Sequence, residues 1–162
     1  MLIAPWHFSF TVSDIEQSIV FYRDVLGMEL MHRQEQANEY TRKFVGYPDA
    51  HLKVAQFRIA GLPTARSGHV LELVEYVAPR GQKVDTQTKN TGTAHLAFQV
   101  DDVWAEYVRM LALGVRFRSE PIAIAAGINK GGFTCYFLDP DDITLEIIQA
   151  PPVPGMPYDR HE

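Results

Sequence analysis

One cysteine, Cys135, stands among 162 residues. No disulfide can close within the chain, so nothing in the fold calls for an oxidising compartment. Cys135 lies in the apolar, strand-like run Phe133 to Leu138, which points to a buried, inert thiol. Runs of basic residues are also lacking. The chain has 15 Lys and Arg against 20 Asp and Glu, a formal net charge of −5, which argues against nucleic acid as a partner. No apolar stretch approaches the roughly 18 residues that span a bilayer, which argues against a membrane partner. The start, Met1-Leu2-Ile3-Ala4-Pro5-Trp6, has neither a basic segment nor a long apolar core, unlike a signal peptide. Together these absences predict a soluble, cytoplasmic protein. Hydrophobic residues at 46% and charged residues at 22% suit an ordinary globular fold.

What is present is a duplication. His7 opens His-Phe-Ser-Phe-Thr-Val-Ser-Asp, and His95 opens His-Leu-Ala-Phe-Gln-Val-Asp-Asp, an offset of 95 − 7 = 88 residues. Downstream of each lies an acidic residue between large aliphatics, Leu71-Glu72-Leu73 and Leu145-Glu146-Ile147. Internal repetition on this scale decides the architecture. Two copies of a unit that each carry one His and one Glu suggest a four-ligand metal site shared between two halves.

Local patterning gives each copy the order β-α-β-β-β, an α+β fold of two tandem modules forming a curved mixed sheet around a metal-binding cavity. In the first copy, Trp6–Val12 alternates as a strand, Ser13-Asp14 offers an N-cap, and Ile15–Leu26 carries apolar residues at helical spacing up to Gly27. Strands follow at Met28–Gln34, His51–Ile59 and His69–Tyr76, with a long excursion between Glu35 and Ala50. In the second copy the strand Thr93–Val100 leads through Asp101-Asp102 to a helix over Val103–Leu113, closed by Gly114. Val115–Arg118, Phe133–Leu138 and Ile143–Gln149 complete it, the last two joined by an Asp139-Pro140-Asp141-Asp142 turn. The module boundaries are residues 1–77 and 93–150. A polar connector over 78–92 has room for a helical turn, and a Pro-rich tail over 151–162 is expected to lie extended.

Alternation also assigns faces. Phe8 and Phe10, and Leu96 and Phe98, should turn toward the helices, together with Leu71, Leu73, Leu145 and Ile147. His7, Ser9 and Thr11, His95, Ala97 and Gln99, and both glutamates should turn away from them, into the cavity. The flanking aliphatics place both glutamates on interior strands, where an unpaired carboxylate is costly. Gln56 and Arg58 alternate onto one face of the third strand and are candidates to line the cavity. His32, His51 and His69 have no counterpart in the other repeat and are expected on the surface or at the cavity rim.

The run from His7 through Val12-Ser-Asp14, Phe21-Tyr22 and Leu26-Gly27-Met28 resembles the opening of glyoxalase-type proteins of the vicinal oxygen chelate superfamily. The closing hairpin Phe137-Leu-Asp-Pro-Asp-Asp-Ile-Thr-Leu-Glu146-Ile is similar to that superfamily's last ligand strand. The likeness runs from His7 to Gln149. It implies metal positions at His7, Glu72, His95 and Glu146, the His/Glu/His/Glu content of bacterial glyoxalase I. It also implies a homodimer. Methylmalonyl-CoA epimerases of the superfamily typically have glutamine at the place of Glu72. Thr11 stands where glyoxalase I has an arginine for a glutathione carboxylate, and Tyr76 where it has an asparagine. Both point away from glutathione. Asp49 is a further acid/base candidate on an epimerase-like site. Asp142 replaces the usual glycine of the hairpin, a position that aspartate tolerates.

Two imidazoles and two carboxylates suit a divalent ion such as Ni, Zn, Co, Mn or Fe. The chemistry expected is proton transfer next to a metal-bound carbonyl of a small-molecule substrate, with Glu146 as first and Glu72 as second candidate base. A lyase or isomerase of the lactoylglutathione lyase or epimerase kind is the leading reading. The alternatives on the same scaffold are an Fe(II) extradiol-type dioxygenase and a non-catalytic, ligand-binding resistance-type protein. The four-ligand set favours the first.

Overall fold

The computed structural model describes residues 1–62 and 68–151. The chain divides into two compact units, Met1–Val84 and Asp85–Glu162. The first contains β1 (Phe8–Thr11), α1 (Ile15–Val20), β2 (Glu29–Gln36), α2 (Glu39–Val45), β3 (His51–Arg58) and β4 (Leu71–Ala78). The second contains β5 (Leu96–Gln99), α3 (Val103–Ala112), β6 (Arg116–Phe117), β7 (Ile122–Ala123), β8 (Phe133–Leu138) and β9 (Thr144–Gln149). Each unit has its own mixed sheet. The order is β1-β4-β3-β2 in the first and β5-β9-β8-β6 in the second, where β7 also pairs with β8. The strand bearing each glutamate, β4 or β9, runs parallel to the strand after each histidine and antiparallel to its other neighbour. Both glutamates therefore sit on interior strands, in keeping with their flanking aliphatics.

Helix starts follow from the sequence. The Asp14 carboxylate accepts hydrogen bonds from the Glu16 and Gln17 amides, and Asp102 does the same for Trp104 and Ala105. Gly27 (φ +70°) and Gly114 (φ +83°) turn the chain out of each helix in the left-handed conformation. The two glycines are 87 residues apart, whereas the two caps are 88 apart. The structure accounts for the missing residue. Phe21–Val25 forms a π turn after α1, with Leu26 N–H bonded to Phe21 O at 3.2 Å. A π turn takes up one extra residue without ending the helix.

A second tie is repeated between the units. The Ile15 amide donates to the Glu75 carboxylate at 3.0 Å, and the Val103 amide donates to Gln149 Oε1 at 3.0 Å. Glu75 and Gln149 each stand three residues beyond the candidate ligand glutamate. The start of each helix is thus fastened to the strand that carries that glutamate.

The core lies on the helix side of each sheet. Leu71, Leu73, Phe57 and Tyr22 in the first unit, and Leu145, Phe137, Val103 and Met110 in the second, are 0% exposed. Truncating Leu71 to alanine is expected to cost about 2–5 kcal/mol, read as a lowered denaturation midpoint. A cost below about 1 kcal/mol would show that this face is not the core.

Several expectations need correction. Phe8 is 58% exposed, and Leu96 and Phe98 are only half-buried. The reason is topological: β1 and β5 are edge strands, and α1 packs over β3 and β4. Val12, 3% exposed, anchors that end of the first strand instead. The excursion after β2 contains α2, capped by Asn38 and closed by Gly46 at φ +79°. The connector contains turns over 88–92 and no helix. The short strand β7 was not expected. Asp142 adopts φ +66°, and the Asp139 carboxylate accepts from the Asp141 and Ile143 amides to hold the hairpin. Residues 152–162 of the proposed tail lie outside the described residues.

Candidate functional site

The two units build the same small arrangement. In the first, His7 Nε2 faces Glu72 Oε1 at 3.7 Å, with side chains 29% and 18% exposed. In the second, His95 Nε2 faces Glu146 Oε2 at 3.2 Å, with side chains 42% and 14% exposed. The other oxygen of each carboxylate is held by a neutral donor. Gln56 Nε2 donates to Glu72 Oε2 at 2.9 Å, and the Thr134 hydroxyl donates to Glu146 Oε1. Each glutamate is thus oriented through one oxygen while the second faces an imidazole nitrogen.

These spacings fit metal ligation. Two ligand atoms about 2.1 Å from one ion and at right angles lie about 3 Å apart. A His nitrogen and a carboxylate oxygen at 3.2 and 3.7 Å are near that separation within each unit. The donor set, imidazole with carboxylate, suits divalent transition ions.

Register shows what surrounds the first pair. Paired residues on neighbouring strands share a face, so Ser9, Glu72, Gln56 and His32 form one row across the sheet. Thr11, Val74, Val54 and Gln34 form the next, and Tyr76, Leu52 and Gln36 the third. This face is dressed with hydroxyls and amides. Arg58 lies on it too, but its guanidinium is ion-paired with Glu29 at 2.5 Å. The Tyr76 ring meets Tyr47 edge-on. In the second unit, Tyr136 pairs with Glu146 in register, and its ring packs edge-on against His95 with centroids 5.3 Å apart.

The structure therefore brings His7 to Glu72 and His95 to Glu146. Gln56 is drawn in as a partner of Glu72, whereas Arg58 is engaged by Glu29. Asp49 lies exposed in the turn before β3. His51 pairs with Glu35 at 2.6 Å, and exposed His32 lies near Gln34. His69 contradicts the expectation of a surface or rim position: it is 4% exposed, and its Nε2 lies 3.0 Å from His7 Nδ1. One ligand atom from each of His7, His69 and Glu72 can be chosen so that all lie within 4.8 Å of one another. The repeat pattern hid this residue, because its counterpart at offset 74 is Ile143. Thr134 and Tyr136 were also missed, though alternation from Thr134 to Tyr136 on the strand opposite Glu146 was a usable signal.

Cys135 is 3% exposed, on the opposite face of β8 from Thr134 and Tyr136. Burial, and secondarily the charge of Glu146, pushes its thiol up to about 11. At pH 8 about one thiol in a thousand is then ionised. Native protein is expected to resist a thiol-labelling reagent that reacts fully after denaturation. Prompt stoichiometric labelling of the native protein would contradict the buried thiol.

Sequence comparison shows the chain's kinship, and structure comparison shows a shared fold. The family model described as the Glyoxalase/Bleomycin resistance protein/Dioxygenase superfamily matches residues 5–147. A 2-epi-5-epi-valiolone epimerase from Actinomyces sp is 32% identical, over 98% of this chain and 84% of its own length. A lactoylglutathione lyase from Haemophilus influenzae is also 32% identical, over 88% of this chain and 90% of its own. A glyoxalase family protein from Bacillus cereus superposes with a TM-score of 0.72 at 18% identity, covering 93% of this chain and 95% of that one, which shows a common fold. With a family match over nearly the whole chain and relatives at this identity, the chain belongs to the Glyoxalase/Bleomycin resistance protein/Dioxygenase superfamily.

Proposed function

We propose that this chain is a metal-dependent enzyme that moves a proton beside the carbonyl of a small-molecule substrate, with His7, Glu72, His95 and Glu146 as metal ligands. One observation carries the reading: both units aim a carboxylate oxygen at an imidazole Nε2 while a neutral donor steadies the other oxygen. The names of two relatives, an epimerase and a lyase, support the same class of reaction.

A divalent ion held by such imidazole and carboxylate groups would supply Lewis acidity toward the substrate carbonyl oxygen. Glu146 is the proposed base. Its Oε1 is anchored by Thr134, and Oε2, the oxygen that faces His95, would come off the ion to take a proton from a carbon set against it. Returning that proton to the neighbouring carbon gives a glyoxalase-type outcome. An epimer results when Glu146 keeps the first proton and a second acid, for which Glu72 is the candidate, protonates the opposite face of the same carbon. Glu72, steadied by Gln56, is the second candidate base.

The substrate we propose is recognised by hydroxyls and amides rather than by cations. Ser9, Thr11, Gln34, Gln36 and Tyr76 share the face of Glu72, and Arg58 on that face is engaged by Glu29. This favours an epimerase acting on an uncharged, hydroxyl-bearing carbonyl compound over a lyase acting on a glutathione adduct. A homodimer is part of the proposal by family resemblance, and light scattering on the eluting protein reads it. The functional test is solvent deuterium exchange, run on hydroxylated ketones, acyl-CoA epimers and hemithioacetals with oxygen uptake followed alongside. Deuterium should enter the carbon beside the carbonyl with no oxygen consumed. Oxygen consumption without exchange would transfer the protein to the dioxygenase class.

A further inference from the structure

We infer that His69 is a positioning residue for His7, accepting the Nδ1–H of that ring and leaving Nε2 as its metal-binding atom. The inference rests on the metal-ligand reading above. It begins with the backbone. The Phe8 amide donates to Val70 O at 3.0 Å, and the Val70 amide donates to Phe57 O at 2.9 Å. Val70 is thus clamped between β1 and β3 just ahead of β4. Gly68, at φ +80°, turns the chain immediately before His69. His69 and His7 are the residues preceding the two partners of the Val70–Phe8 bond, so their side chains are brought together by the ladder itself. Their rings lie 4.9 Å apart, tilted by 31°.

A nitrogen–nitrogen contact of 3.0 Å between neutral imidazoles needs one donor and one acceptor. Two arrangements satisfy it. If His69 donates, the remaining proton of neutral His7 sits on Nε2 and points toward Glu72, and that nitrogen has no lone pair for a metal. If His7 donates from Nδ1, its Nε2 lone pair is the one facing Glu72 Oε1 at 3.7 Å. Only the second arrangement leaves the nitrogen nearest the carboxylate able to ligate. A ligating histidine generally donates its other N–H to a fixed acceptor, which sets both tautomer and ring orientation. His69, 4% exposed, fills that place in the first unit. In the second unit the corresponding residue is Ile143, and the neighbour of His95 is the Tyr136 ring.

The test uses the full chain, Zn(II) with a competing chelator for affinity, and pulsed EPR on Cu(II)-loaded protein to count bound imidazoles. His69→Leu should weaken metal binding by about 10- to 100-fold. His69→Gln keeps a carbonyl acceptor and should restore affinity to within about threefold of wild type, with the imidazole count unchanged. Wild-type affinity in His69→Leu would overturn the inference. So would a lost imidazole in His69→Gln, since His69 would then be a ligand. The glutamine variant's affinity and imidazole count decide the matter if the leucine variant fails to fold. A wild-type protein that takes up no metal would defeat the underlying reading, which is a different result from a wild type that binds and a His69→Leu variant that binds equally well.

Discussion

Glu146→Gln is expected to lower turnover by about 10²- to 10⁴-fold, equivalent to about 3–5 kcal/mol of barrier. Glutamine has nearly the same shape and can still meet Thr134, so the fold should be untouched. It cannot take up a proton at neutral pH, which removes the proposed base. The same change at Glu72, the second candidate base, should cost less. Metal content has to be measured on each variant, so that a lost base is told apart from a lost ligand. Turnover within about threefold of wild type for metal-loaded Glu146→Gln would reassign the base to another residue.

The second large effect concerns metal uptake. His95→Ala and Glu146→Ala should each abolish it while leaving the circular dichroism spectrum intact. His95 is 42% exposed at the head of an edge strand, so little packing is lost with its ring. Glu146 sits on an interior strand at 14% exposure, but its backbone ladder to Tyr136 does not depend on the carboxylate. Elemental analysis after dialysis against the ion and then against buffer reads the outcome. Full occupancy in both variants would mean that the ligands lie elsewhere.

Much of this was legible in the sequence because duplication and alternation are strong, local signals. The 88-residue offset located both histidines, and period-two spacing set Glu72 and Glu146 on the face opposite Leu71 and Leu145. Capping aspartates and closing glycines located both helices. The parts that escaped are those that local pattern does not encode. Phe8 looked like a core residue, but whether a strand lies at an edge is decided by topology. The π turn over Phe21–Val25 left a trace only as a one-residue slip between repeats. His69 has no counterpart in the other repeat, so duplication does not point to it. A duplicated chain is free to diverge in the residues that support each ligand, and those supports come from different strands: Gln56 on β3, Thr134 on β8, and His69 ahead of β4. Thr11 and Tyr76 were readable as departures from a glutathione site, while the polar rows around them required the register of four strands.

Two His–Glu pairs placed to hold metal should carry it, and elemental analysis of protein purified without added ions reads this. The expected result is a divalent transition ion bound well above roughly 0.2 equivalents per chain, or taken up to that extent on titration. Protein that emerges below that level and takes up none of the ions offered would contradict it.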